Sequence, residues 1–355
     1  MKVPEYIKLY KSKINKSIKL IINKKIENIK NPFLIDYYTE LLDYFLSGGK
    51  RLRPLVCIAS YNAFNKGKDE KVIYPSVGVE FLHNASLIHD DIIDKDDFRR
   101  NNPTFHYRFR EYCEKNNLKK VEKDHFGTSM GIIGGDVAYF LGLDAFYQNK
   151  FDPNKNLKAI NYYKEAFYNL CNGVLIELIM VNEDSIKMQD YIEMISLKTG
   201  ALIQKSMLIG ATYSGAKDEY LTYLSNYGTN LGIIFQIVDD ILGTFGDESI
   251  TGKPIDGDIR EGKKTCLLIE ALEKSDKNKR NRILQLIGNE DITLTEIEEV
   301  RDLFREVNAI DSCKELANKY NNLAKDELEK ISPVINHSEL EFYENLLKYV
   351  LEREF

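Results

Sequence analysis

Apolar residues recur along this chain at every third or fourth position, the spacing that lines one face of an α-helix, and nowhere keep the strict alternation of a half-buried strand. In residues 1–30, Ile7, Ile14, Ile18, Ile21 and Ile29 form such a stripe against nine lysines and two glutamates. An amphipathic helix is predicted there, packing its stripe on the body of the protein, with weak contact to an anionic membrane surface as the alternative use. Further helices are predicted over 34–47, 51–65, 76–97, 128–149, 156–182, 188–213 and 217–243. A shorter series follows at 264–274, 278–287, 294–307, 311–330 and 339–353. No proline lies between Pro153 and Pro254, so nothing in that stretch removes a backbone donor or stops a helix. Breakers stand where loops are needed, at Gly48-Gly49, Asn101-Asn102-Pro103 and Gly252-Lys253-Pro254. The segment from Phe109 to Lys123 is the least periodic and reads as a surface excursion. With no Pro/Ser-rich linker and no repeat, 1–355 is expected to be one large all-α bundle.

The 355 residues, 43% hydrophobic and 29% charged, suffice for a sizeable core and exclude a disordered chain. A net charge of −6 gives no overall attraction for nucleic acid, though it permits a local basic pocket. Cys57, Cys113, Cys171, Cys266 and Cys313 are widely spaced with no CxxC pair, as expected in a reducing cytosol. No apolar run approaches the ~18 residues that span a bilayer, and the N-terminus carries lysines where a signal peptide would be apolar. A cytoplasmic protein is expected.

Within the apolar pattern stands His89-Asp90-Asp91-Ile92-Ile93-Asp94, with Asp90 and Asp94 one helical turn apart. Stacked carboxylates in an apolar bundle repel and lose solvation unless a cation joins them, and Mg²⁺ takes a few carboxylates together with phosphate oxygens and water. A second pair, Asp239-Asp240, ends another apolar helix, and facing helices of a bundle can gather such side chains over a central cavity. Cations surround both in sequence: Gly48-Gly49-Lys50-Arg51-Leu52-Arg53-Pro54 opens a helix, Arg99 and Arg100 follow the first cluster, and Lys198-Thr199-Gly200, Lys253 and Lys263-Lys264-Thr265 add donors. The combination describes a substrate with a diphosphate head held through Mg²⁺ and a hydrocarbon body held by the core.

The ordered set GGKRLRP, HNASLIHDDIID, RRNNPTFH, KTG, FQIVDD, GKP and DIREGKKT, spanning about residues 45 to 268, resembles the trans-isoprenyl diphosphate synthases. The resemblance implies the all-α type I isoprenoid synthase bundle, a homodimer, and Mg²⁺-dependent condensation of isopentenyl diphosphate with an allylic diphosphate. It implies that Lys50, Arg53, His83 and Arg100 hold the isopentenyl diphosphate. Asp90, Asp91, Asp94 and Asp239 would hold the metal on the allylic diphosphate, helped by Arg99, Lys198, Thr199, Gln236, Lys253 and Lys264. Lys198, Thr199 and Gln236 would act nearest the reacting carbon, with Phe235 either a ring facing the cation or ordinary core.

The second cluster departs from the family's DDxxD, because Gly243 stands where the last carboxylate is usual. Asp247 is near in sequence but is not assigned as a replacement. Product length should follow the depth of the apolar tunnel below Asp90. Small Ala85 and Ser86 leave room one turn down, and Phe81, Leu82, Tyr139 and Phe140 are candidate floors. Geranylgeranyl diphosphate is the expected product, with pentaprenyl or longer chains next and farnesyl disfavoured. A class I terpene cyclase would need no second diphosphate site, and a non-catalytic partner subunit would not keep the acidic clusters.

Overall fold

Short polar side chains set many of the helix boundaries by satisfying the exposed amides of a first turn. Asn31 accepts from the amides of Phe33 and Leu34 ahead of Pro32, which opens α2 (Pro32–Leu46). The computed structural model describes residues 1–65, 70–183, 185–246 and 255–353, which are almost entirely helical. They form two compact units, Met1–Lys164 with Ser206–Ala216, and Glu165–Lys205 with Lys217–Phe355, the division falling within α7 (Pro153–Met180) and α9 (Ala201–Ser214).

In the first unit α4 (Ile73–Ile93) is the central element and packs against α6 (Lys123–Tyr147), α3 (Leu52–Phe64) and α1 (Val3–Ile26). The stripe of α1 is buried through Tyr6, Tyr10, Ile14, Ile18, Ile21 and Ile22, so the N-terminal helix uses its apolar face inside the unit. Three local expectations are corrected. The helix predicted to 97 stops at Ile93, because Lys95 takes a left-handed conformation (φ 56°). A short antiparallel hairpin follows, β1 (Phe98–Arg99) with β2 (Asn102–Pro103), turned by Arg100 and Asn101 at positive φ. The segment read as a surface excursion is helical as far as Lys115: α5 (Phe105–Lys115) buries Phe105, Phe109 and Cys113 against α6, a stripe too thin to stand out among its polar neighbours.

α6 also corrects the expectation about membrane spans, since by length and composition it is long and apolar enough to cross one. Its glycines explain the composition. Gly134 lies where a Cβ would sit 2.4 Å from the Phe105 ring, so close packing with α5 requires small residues.

In the second unit α10 (Asp218–Phe245) is central. It packs against α15 (Ala309–Ile331), α16 (His337–Leu351), α12 (Cys266–Lys274) and α8 (Met188–Ile195). The helix predicted over 188–213 is interrupted by a turn of π-helix, Ser196–Gly200, also seated on α10. A short helix absent from the sequence reading, α11 (Gly257–Glu261), follows, and α13 (Lys277–Leu286) and α14 (Leu294–Glu306) complete the unit. All five cysteines are free thiols.

Candidate active site

In the first unit the loop before α3 turns through Gly48 and Gly49 at positive φ. A Cβ on Gly49 would lie 3.1 Å from a guanidinium nitrogen of Arg100 and of Arg51, so the bare glycine lets two arginines close over the loop. Arg51 then turns inward. It is 2% exposed, pairs with Glu80 at 2.8 Å and donates to Asn15 Oδ1 and the Phe45 carbonyl. Of the three cations in GGKRLRP, Arg51 therefore serves the scaffold, while Lys50 is exposed and Arg53 half-buried.

His83 sits on α4 seven residues before Asp90, about 10 Å along the helix. Burial, and then Arg53, Arg100, Arg99 and Arg51, hold its imidazole well below the usual histidine range. A neutral imidazole among four guanidinium groups marks a place where an anion would be stabilised. Burial, and then Arg99, likewise lower the Arg100 guanidinium.

The aspartates that follow are not equivalent. Asp91 is fully buried, accepting from Tyr44 Oη at 3.0 Å and from Arg99 Nε at 2.5 Å. Asp90 is partly open and meets Arg99 at 3.2 Å. Asp94 ends α4, its amide bonded to the Asp90 carbonyl. His89 turns to α6, its Nε2 3.0 Å from the Ile132 carbonyl oxygen and its ring 5.7 Å from Tyr139, which is a packing role.

Below the aspartates, Phe81, Leu82 and Ala85 are fully buried, with Phe81 4.8 Å from the Phe45 ring. Ser86 is half-buried and donates to the His83 carbonyl, and the Tyr139 carbonyl accepts from Tyr163. Phe140 is not brought together with them. It is 72% exposed on an outer face of α6 shared with Ile133, so it is no floor within its own unit.

In the second unit a hydrogen-bonded chain holds the other pair. Thr199 Oγ1 donates to Gln236 Oε1 at 2.7 Å, Gln236 Nε2 donates to Asp240 Oδ1 at 2.8 Å, and Tyr191 Oη donates to Asp240 Oδ2 at 2.7 Å. Burial, and then Asp258, push the Asp240 carboxyl up to about 7 despite these donors. The π-turn that carries Thr199 approaches α7 at Gly173, where a Cβ would lie 2.4 Å from the Lys198 amide nitrogen. Lys198 itself pairs with Glu177. Asp239 is a third exposed and pairs with Arg353 at 2.5 Å, while Arg353 stacks 4.6 Å over the Phe235 ring. Phe235 is thus occupied by a side chain of its own unit. Lys264 is half-buried beside Thr265, which caps α12, and Lys253 lies outside the described residues, as does Asp247.

Gly243 has a neighbour in space. A Cβ there would lie 3.2 Å from Asp258 Oδ2, so a carboxylate from α11 stands beside the position that lacks one. Tyr191 and Arg353 carry no motif spacing relative to Asp239-Asp240, and only the packing of α8 and α16 on α10 reveals them, while Asp258 opens the DIREGKKT segment and is brought to Gly243 by the packing of α11.

Within the second unit, the oxygen donors and like charges crowded at Asp240 and the partly open Asp239 fit a hard divalent cation, which would also lower the Asp240 carboxyl again; within the first unit the partly open Asp90 offers a carboxylate of the same kind. Among the described residues no three acidic, histidine or cysteine groups form a ready metal cage, so such an ion would draw its remaining oxygens from phosphate and water.

The sequence profile described as polyprenyl synthetase matches residues 35–307. The chain is 35% identical over 310 residues to a geranylgeranyl diphosphate synthase of Sulfolobus acidocaldarius, covering 87% of each protein. Its structure is similar to geranylgeranyl pyrophosphate synthetase of Pyrococcus horikoshii (TM-score 0.83, 31% identity, 99% of each chain). It is similar as well to the Corynebacterium glutamicum geranylgeranyl pyrophosphate synthase complexed with isoprenyl diphosphate and magnesium (TM-score 0.91, 26% identity, 100% of each chain). With the profile spanning most of the chain and the fold almost entirely helical, the chain belongs to the polyprenyl synthetase family and is a trans-prenyltransferase.

Proposed function

We propose that this protein is a Mg²⁺-dependent geranylgeranyl diphosphate synthase that condenses isopentenyl diphosphate with allylic diphosphates. The observation that carries the reading is α4 with its surroundings: His83, acted on by four arginines of neighbouring elements, two aspartates two turns further on, and small buried Ala85 between them. One helix thus carries a group for an anion, carboxylates for a cation and space for a hydrocarbon. The names of the archaeal relative and of the two structural neighbours support the product assignment.

In this reading Lys50, Arg53, His83 and Arg100 bind the isopentenyl diphosphate, and neutral His83 donates a hydrogen bond to it. Asp90, Asp91, Asp94 and Asp239 serve the metal, which when bound supplies positive charge to the leaving diphosphate. Arg99, Lys198, Lys253 and Lys264 serve the allylic diphosphate. The allylic C–O bond ionises, the isopentenyl double bond attacks the allylic carbon, and a proton is lost to the released diphosphate. Thr199 and Gln236 present oxygen dipoles to the cation, and the Thr199–Gln236–Asp240–Tyr191 chain fixes the amide's orientation.

Asp258 complements the shortened second cluster. Asp258→Asn is expected to raise the Mg²⁺ concentration needed for half-maximal rate about 3- to 10-fold, with little change at saturating metal. An unchanged metal dependence contradicts this role.

A homodimer belongs to the same proposal. Ile132, Ile133, Phe140 and Tyr147 leave α6 with an exposed apolar face suited to a second copy, and sedimentation analysis at micromolar protein should give twice the chain mass. A cytoplasmic location accords with five free thiols.

Incubation with Mg²⁺, labelled isopentenyl diphosphate and dimethylallyl, geranyl or farnesyl diphosphate, resolved by product length, tests the whole reading. Geranylgeranyl diphosphate is expected, and no product from any primer would overturn it. Ala85→Phe places a ring about 7 Å below Asp90 and should shift the product toward farnesyl diphosphate. An unchanged length distribution would remove Ala85 from the tunnel.

A further inference from the structure

The packing of α1 leaves a second face open. Its inward face is spent on the core, where Tyr6, Tyr10, Ile14, Ile18, Ile21 and Ile22 are buried. Polar bonds fix the roll of the helix as well: Asn62 Nδ2 donates to the hydroxyls of Tyr6 and Tyr10 at 3.1 and 3.2 Å, and Asn15 Oδ1 accepts from Arg51. The opposite face is therefore held in one orientation. Leu9 and Leu20 stand on it, 42% and 52% exposed, and eleven residues apart they fall on one line, three turns or about 16 Å along the axis. Lys16 lies between them on that line, and Lys8 and Lys19 flank it on one side. These three lysines are exposed and make no ion pair among the described residues, whereas Lys13 and Lys24 reach Glu70 and Gln148.

Charge is segregated in the same way. Residues 1–30 hold nine lysines against two glutamates, a net +7, while the whole chain carries −6, so the remaining 325 residues carry −13. We propose that the outward face of α1 docks the protein on an anionic lipid surface, with Leu9 and Leu20 entering the boundary between headgroups and acyl chains and Lys8, Lys16 and Lys19 meeting lipid phosphates. Leucines in line with lysines suit a surface that is charged outside and apolar beneath, and the lysine stems let each ammonium stay at headgroup level. A nucleic acid would match the charge but would give the two leucines nothing apolar to enter. The isoleucine stripe, which the sequence pattern offers as the apolar face, stays in the core. Docking thus uses the face that the pattern assigns to solvent, requires no unpacking of α1, and involves no residue of the candidate active site.

Co-sedimentation of the full chain with lipid vesicles tests this. Vesicles of phosphatidylglycerol mixed with phosphatidylcholine should retain the protein at low salt and release it at high salt, and phosphatidylcholine alone should not retain it. The combined variant Lys8→Gln, Lys16→Gln and Lys19→Gln should bind the acidic vesicles about 30- to 100-fold more weakly, near fivefold for each lysine, while Lys→Arg at the same three positions should stay within about 2-fold of native. Leu9→Ser with Leu20→Ser should weaken binding about 3- to 10-fold. All of these side chains are exposed, so circular dichroism and turnover of soluble substrates should remain native, which separates lost docking from a lost fold. Failure of the native protein to sediment with acidic vesicles, or unchanged binding in the glutamine variant, would overturn the proposal. Single-stranded RNA bound as tightly as the acidic vesicles, with full vesicle binding kept in the leucine variant, would overturn lipid as the partner. The vesicle measurements need no substrate, so they stand or fall apart from the proposed synthase activity.

Discussion

Asp90→Ala should lower kcat/KM by roughly three orders of magnitude or more, the scale of the several kcal/mol that metal charge supplies to a departing anion. The fold should survive, because Asp90 is partly open and its partner Arg99 keeps a bond to Asp91. Circular dichroism and melting temperature should match those of the native protein, while product formation from labelled isopentenyl diphosphate almost vanishes. The neighbouring residue gives the contrast. Asp91→Ala would strand the buried Tyr44 hydroxyl and the Arg99 guanidinium, so it should cost stability as well as activity. If Asp90→Ala keeps more than about a tenth of the native rate, the first cluster does not hold the reaction's metal.

Arg51→Ala should destabilise the first unit by about 3–5 kcal/mol, the usual result of leaving one member of a buried ion pair alone. Glu80 is 3% exposed and, besides Arg51, accepts from the neutral Asn84 amide. Arg51 also links Asn15 of α1 and the Phe45 carbonyl of α2 to α4, so its removal loosens three helices. Urea unfolding should report the loss, and the double variant Arg51→Ala with Glu80→Ala should recover part of it, because the stranded charge is gone. Native stability in Arg51→Ala would show that the pair is balanced by its desolvation. Lys50→Ala, on an exposed side chain in the same motif, should instead leave stability unchanged and raise the KM for isopentenyl diphosphate.

The difference between Arg51 and Lys50 marks where sequence reading ends. Adjacent in one motif, both read as cations for an anion. The left-handed conformation at Arg51 turns it into the core toward Glu80, and no local pattern encodes that partner 29 residues away. Asp90 and Asp91 behave alike in the sequence and differently in space, because α4 presents one to Arg99 near the surface and the other to Tyr44 inside. Phe140 was legible as a large apolar residue but not as an exposed one, since α6 is apolar on more than one face and periodicity could not say which face packs on α4.

By itself the sequence determined the helical elements, the two acidic clusters and their cations, because a 3.6-residue period and short motif spacings are local properties of the chain. It missed α5 as a buried helix, where a three-residue stripe is too weak a signal, and the π-turn at Ser196–Gly200, which lies against Gly173. Only the tertiary structure decided which charges belong to the scaffold and which stand beside the motifs. Asp258 reaches the side of Gly243, Tyr191 locks Asp240, and Arg353 covers Asp239 through packing between helices distant in sequence. Such partners are fixed by the burial and pairing of charge across helices, which no spacing along one helix records.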